Sequence, residues 1–321
     1  GRAGDSQAST GPVHDEYDGI ASPVGLALAL EDITTRLQHM GAKPDRQQAR
    51  LQLLEQQFAP AWGAMGAVAE AFGVAWQAAG GAAQAMAWYE RALAASDASA
   101  SLKVHESLGR LRVQQAWGPA QAADADATTV AAACQAIAAA RADLQTLATL
   151  QPTPQRLAQV GAAGKRLALL QQRSGQAAAA AQTLQEVFAA YAQAEGLAAR
   201  QGPVDVFISL NRMAAELMLH QSQAAPHAFN ADAVAALGQH LAQRSRTAPD
   251  FFSEAARIAL QLLQAVADRS LAQSAAALQA EFSELHQRVD QASRWQTVAT
   301  QAAFVLESYR TQASPAEQQA A

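Results

Sequence analysis

Apolar residues recur every three to four positions along most of the chain, and Gly, Pro or short polar clusters interrupt them. That period is helical. Ser22-Pro23 opens a first predicted helix to Met40, with Leu26, Leu30, Ile33 and Leu37 on one face, and Gly41 to Pro44 breaks it. A second helix is predicted from about Asp45 to Phe58. Ala61 to Ala79 and Ala82 to Ala95 make the clearest hairpin, parted by Gly80-Gly81. Ser101 to Trp117 follows and stops at Gly118-Pro119, and Ala127 to Leu150 is long. The Pro152 and Pro154 pair is a firm break, since each proline restricts the residue before it.

Further helices are predicted over Gln155 to Gln172, Gly175 to Glu195, Val204 to Gln221 and Ala231 to Arg244. A boundary at Thr247 to Pro249 precedes Phe251 to Asp268, Leu271 to Ala292 and Trp295 to Tyr309. Only Val204 to Ile208 tempts a strand assignment, and it runs into a helical pattern. The predicted class is all-α, built of stacked antiparallel helical hairpins. The expected layout is a flexible leader or linker over 1–21, helical repeats over 22–246, a C-terminal helical cap over 247–312 and a disordered tail over 313–321.

Composition supports this. Half of the 321 residues are hydrophobic, enough for a substantial core, and the abundance of Ala suits close helix packing better than a sheet. Only 16% are charged, so Gln, Ser and Thr must carry much of the solvation. With a net charge of −5 and scattered Arg and Lys, no basic stripe exists to track a phosphate backbone, and nucleic acid is not an expected partner. The apolar stretch from Val130 to Ala140 is too short for a membrane span and is closed by Arg141 and Asp143. A single cysteine, Cys134, excludes an internal disulfide, and the expected location is cytoplasmic. The segment from Gly1 to Asp18 is polar and turn-forming, as a tag remnant, a linker or the end of an upstream domain would be.

Within the best hairpin, Phe72, Gly73 and Trp76 are followed by Ala85, Tyr89 and Ala92. Small Gly73 and Ala85 would let two helices approach, Trp76 and Tyr89 would wedge between them, and Ala92 would admit the next helix. Gly73 to Ala85 is twelve positions, and the next steps are four and three, which resembles the tetratricopeptide consensus. Asp97 stands where that consensus has proline, and Arg112 where the next repeat has an aromatic residue.

A more particular resemblance rests on Ala87-Trp88-Tyr89-Glu90-Arg91-Ala92 with Ser99 to Lys103 and Glu106, on Gly161 to Leu170, and on Val204 to Leu219. Together these resemble the tetratricopeptide-like regions of bacterial proteins with CHAT domains, which are caspase-like peptidase modules. The resemblance spans about Pro44 to Tyr309. It implies a superhelix of helical repeats that senses a partner or scaffolds such a peptidase. The peptidase module itself, a His-Cys pair on an α/β sheet, is not visible.

Candidate chemistry is sparse. Cys134 lies among alanines and reads as a buried structural thiol rather than a nucleophile. His220 and His227 are divided by Pro226 and form no metal motif, and His14, Asp15, Glu16 and Asp18 read as a solvated leader. Gly161 to Lys165 lacks the ending of a P-loop and no strand precedes it. Lys165 and Arg166 therefore read as decorating a repeat helix, with Asn211 and Arg212 on a helix nearby. Asn211, in an apolar helix, must find hydrogen-bond partners if buried. Trp62, Trp76, Trp88 and Trp117 read as core or junction residues, any one of which on a concave face could anchor a peptide.

The function expected from the sequence is a noncatalytic helical scaffold that binds a protein or peptide, including an upstream domain of the same polypeptide, without cofactor, metal or membrane. The candidate partner-binding residues are Lys103, Glu106, Arg110, Arg112, Lys165, Arg166, Asn211 and Arg212. Three other readings stay open: a fragment of a CHAT-type cysteine peptidase lacking its catalytic module, a structural, oligomerising helical protein carrying the Leu260, Leu263 and Val266 stripe, and a small-molecule sensor that uses a groove of the repeats.

Overall fold

Side-chain caps and glycine turns set where the helices begin and end. In the computed structural model, which describes residues 20–39, 44–122, 124–220, 227–248, 250–289, 292–310 and 313–321, the described residues are all-α, with fourteen helices. They divide into two compact units, one ending at Leu111 and the other starting at Arg112. The division falls inside the segment read as one run of repeats. The expected leader and its His14, Asp15, Glu16 and Asp18 cluster lie outside the described residues, Ile20 and Ala21 apart.

The first unit contains α1 (Pro23–His39), α2 (Pro44–Trp62), α3 (Gly66–Ala78), α4 (Ala82–Ala94) and the start of α5 (Leu102–Ala120). Helices α3 and α4 form the predicted hairpin, turned by Gly80 at φ 80°, a conformation that costs glycine little. Gly73 lies under the Tyr89 ring, where a Cβ would sit 2.6 Å from two ring carbons. Phe72 stacks on Trp88 at 4.5 Å, and the Trp76 indole donates to Glu55 at 3.1 Å. Asp97 also has a structural reason. Its carboxylate accepts the Gly66 N–H at 3.1 Å, so the end of one hairpin caps the start of α3. Hydrogen bonds from Gly66 and Ser99 hold its pKa below the usual carboxylate value. Helix α2 runs past the break expected at Phe58 and includes Pro60 close to its end.

The second unit contains the rest of α5, then α6 (Ala127–Leu150), α7 (Pro154–Arg173), α8 (Ala177–Ala198), α9 (Val206–His220) and α10 (Ala231–Thr247). It continues with α11 (Phe251–Ala267), α12 (Leu271–Arg288), α13 (Ala292–Arg310) and the short α14 (Pro315–Ala320). Asp126, Thr153, Asn230 and Asp250 accept backbone N–H groups at the starts of α6, α7, α10 and α11. Helices α6, α7 and α8 pack as successive antiparallel neighbours, with Gly175 at φ 72° in the α7–α8 turn. Gly161 lies under the buried Tyr191 ring as Gly73 does under Tyr89, so both units use a glycine to seat a tyrosine between paired helices.

The region beyond 247 shares a core with α9 and α10, through Met213, Leu217, Leu237, Ile258 and Phe304 among others. Residues 313–321, read as a disordered tail, contain α14. Ser314 caps it, and Glu317 is buried, accepting from Tyr309 at 2.9 Å and from the Ala272 N–H at 3.0 Å. The Leu260, Leu263 and Val266 stripe is buried within the unit.

Candidate functional site

Helix α7 has almost no solvated face. It packs against α6, α8, α9 and α13, and its buried positions run from Pro154 through Leu170. Lys165, read from sequence as surface decoration, is therefore only 8% exposed. Its ammonium donates to Asn211 Oδ1 on α9 and to Gln301 Oε1 on α13. It also sits 5.1 Å from the centre of the Phe304 ring and 5.9 Å from that of Tyr191, a placement that favours a cation. Asn211 Nδ2 donates to the Phe207 carbonyl at 2.7 Å, which fixes the amide so that its oxygen faces Lys165. Burial, with a smaller push from the Arg166 charge, brings the Lys165 pKa down to about 7.

Arg166 is half-buried, and burial lowers its pKa too. Its Nε and the Nε2 of Gln301 are buried without hydrogen-bond partners, as is the Tyr191 hydroxyl. Desolvation raises the pKa of that hydroxyl. Lys165, Arg166 and Gln301 line a cleft of about 620 Å³ together with Trp117, Gln121 and Phe304. On its other side Gln301, with Asn211 and Phe207, borders an apolar cavity of about 270 Å³ whose walls include Leu262, Leu263 and Val305. Phe207 and Phe252, both more than half exposed, stand at that cavity, and an Arg244–Asp250 ion pair at 2.8 Å joins Asn211, Ser253 and Gln301 in the polar part of its lining.

The candidate residues thus separate into groups. Lys165, Arg166 and Asn211 belong to one site. Arg212, next to Asn211, is instead neutralised: it pairs with Glu195 at 2.6 Å and with Glu216, which also meets His227 at 3.1 Å. Lys103 and Arg110 are exposed and Glu106 half-buried on the part of α5 that belongs to the first unit. Arg112 is in the second unit and lies 3.6 Å from Asp143.

The His220 and His227 rings, separated in sequence by Pro226, stack at 4.4 Å. Among the described residues, no group of three or more His, Cys, Asp or Glu could hold a metal ion, and no helix is long and apolar enough to cross a membrane. Cys134 is half-buried and burial pushes its thiol pKa up, which disfavours the thiolate. Gln301 was not identified from sequence, because it meets Lys165 across 136 residues. Protein-family models, curated proteins and solved structures give no match to the chain.

Proposed function

We infer that the chain is a noncatalytic helical scaffold that binds a protein or peptide segment, seated on the second unit at the apolar cavity between α9, α11 and α13. The observation that carries this reading is the cavity itself. It is lined mainly by aliphatic and aromatic side chains, it has room for one large apolar side chain, and two exposed phenylalanines stand at it. Buried aromatic anchors and a polar rim are the usual anatomy of an interface that recognises a peptide. Helical hairpins supply the rigidity such a surface needs. The resemblance to tetratricopeptide-like regions of CHAT proteins extends the reading to a regulatory or sensor region of a caspase-like peptidase system. The partner is then a segment of the peptidase, on the same polypeptide or another.

Selection from a random peptide library displayed on phage tests this, with Phe207→Ala/Phe252→Ala protein as counter-selection. Peptides sharing one apolar anchor residue, enriched on the parent protein and lost on the double variant, are the expected result. Enrichment that survives both substitutions would place binding elsewhere and overturn the assignment.

A further inference from the structure

The polar groups left without partners around the 620 Å³ cleft have one property in common. The ammonium of Lys165 has three N–H groups and two acceptors, both neutral amide oxygens, which leaves one N–H over. Arg166 Nε and Gln301 Nε2 are buried donors with nothing to donate to. The Gln301 amide is oriented by Lys165: an ammonium requires the oxygen, so the NH₂ must face away from it. A cleft with surplus donors and no surplus acceptors among these residues is complementary to an acceptor-rich ligand.

Charge points the same way. Lys165 and Arg166 are adjacent cations that meet no carboxylate among the described residues. The acidic residues on the helices packed around them are already engaged. Glu186 pairs with Arg141, Glu195 and Glu216 with Arg212, Glu307 with Arg173, and Asp205 accepts the Ile208 N–H at the start of α9. Asp143 on α6 faces Arg112. Among the described residues, Arg141 packs beside Gly164 and already pairs with Glu186, and the raised pKa of Tyr191 keeps its hydroxyl neutral. Two partly desolvated positive charges without a carboxylate beside them are costly, and desolvated titratable groups gathered at a cleft mark a candidate binding site.

We propose that this cleft binds a small organic anion, whose carboxylate or phosphate takes the unpaired donors of Lys165, Arg166 and Gln301 while its body lies against Trp117 and Phe304. This site goes beyond the peptide-binding reading and does not depend on it. The peptide cavity can fail in the phage experiment while the anion cleft holds, or the reverse.

Isothermal titration with three probes, sodium hexanoate, inorganic phosphate and hexan-1-ol, tests the proposal on the full chain. One or both anions should bind saturably and the alcohol should not. Binding of hexanoate alone identifies a carboxylate with an apolar body, of phosphate alone a phosphoryl group, and of both a site that reads charge. Lys165→Met and Arg166→Gln should each weaken the bound anion at least about tenfold, and Lys103→Met, at an exposed position of α5, should not. Arg166 is half-exposed, so its variant keeps the test intact if Lys165→Met does not fold. If hexanoate binds, its affinity should fall up to about tenfold from pH 6 to pH 8.5, because Lys165 loses its proton near pH 7. No saturation by about 10 mM of either anion, equal binding of the alcohol, or affinities unchanged in both variants would overturn the proposal.

Discussion

The buried ammonium should make the stability of the second unit depend on pH, with a sign and size that can be worked out. Lys165 has an ordinary pKa of 10.5 in the unfolded chain and about 7 in the folded one. Between those values the unfolded state holds more protons, so stability rises with pH across that window and is lost as pH falls toward 7. The full difference corresponds to about 5 kcal/mol. Tyr191 and Cys134 act with the opposite sign, since burial raises both, and they weaken the fold once pH exceeds their unfolded values. The clean interval is therefore pH 7 to 9. Across it the Lys165 contribution amounts to about 2 kcal/mol in favour of pH 9.

Lys165→Met removes the titrating group while filling nearly the same volume. At pH 7 two effects offset each other. The cost of the buried charge disappears, but Asn211 Oδ1 and Gln301 Oε1 each lose their donor, at about 1–3 kcal/mol apiece. The net change at a single pH is therefore uninformative, and the slope is what matters. Urea denaturation followed by far-UV circular dichroism at pH 7, 8 and 9 should show the parent gaining about 2 kcal/mol more than the variant over the interval. The difference between the two proteins cancels the histidines and every other shared group. Parallel pH profiles would mean that Lys165 titrates as an exposed lysine does, and the description of its surroundings would be wrong.

Other perturbations test separate parts of the structure. Gly161→Ala places a methyl group 2.5 Å from a Tyr191 ring carbon and should cost about 1–2 kcal/mol net in urea denaturation, overpacking outweighing the gain in helix propensity. The same change at Gly238, on α10, meets nothing within 4 Å and should stabilise by about 0.5–1 kcal/mol. Equal signs at the two sites would refute the tyrosine-seating argument. Asp97→Ala removes the acceptor of the Gly66 N–H, so hydrogen exchange there should quicken while the middle of α3 keeps its protection. Iodoacetamide should alkylate Cys134 more slowly at pH 7.5 than it does an unstructured cysteine peptide, and unfolding in urea should abolish the difference.

The same physics explains what the sequence made legible. A helix with one buried face announces itself by its period, and the Gly80-Gly81 turn, the Pro152–Pro154 break and the Gly73–Tyr89 contact could all be located from it. Burial on every side of α7 erases that signal. Once α6, α8, α9 and α13 surround it, the polar positions of its pattern no longer mean solvent, and Lys165 turns inward. Asn211 could be flagged because a lone amide in an apolar helix needs partners wherever the helix goes. Gln301 could not, because glutamine is common throughout this chain and its role depends on a helix 136 residues away. The tail is a related case: Glu317 looks like a solvated charge until Tyr309 and the Ala272 N–H are brought to it. In both places the decisive group is a polar side chain whose partners are assembled by tertiary packing. The two outcomes differ in charge balance. Glu317 finds donors within the chain and closes a helix onto the core, whereas Lys165 and Arg166 find no acid among the described residues, and that imbalance connects the pH-dependence of the fold to the proposed capacity of the cleft for an anion.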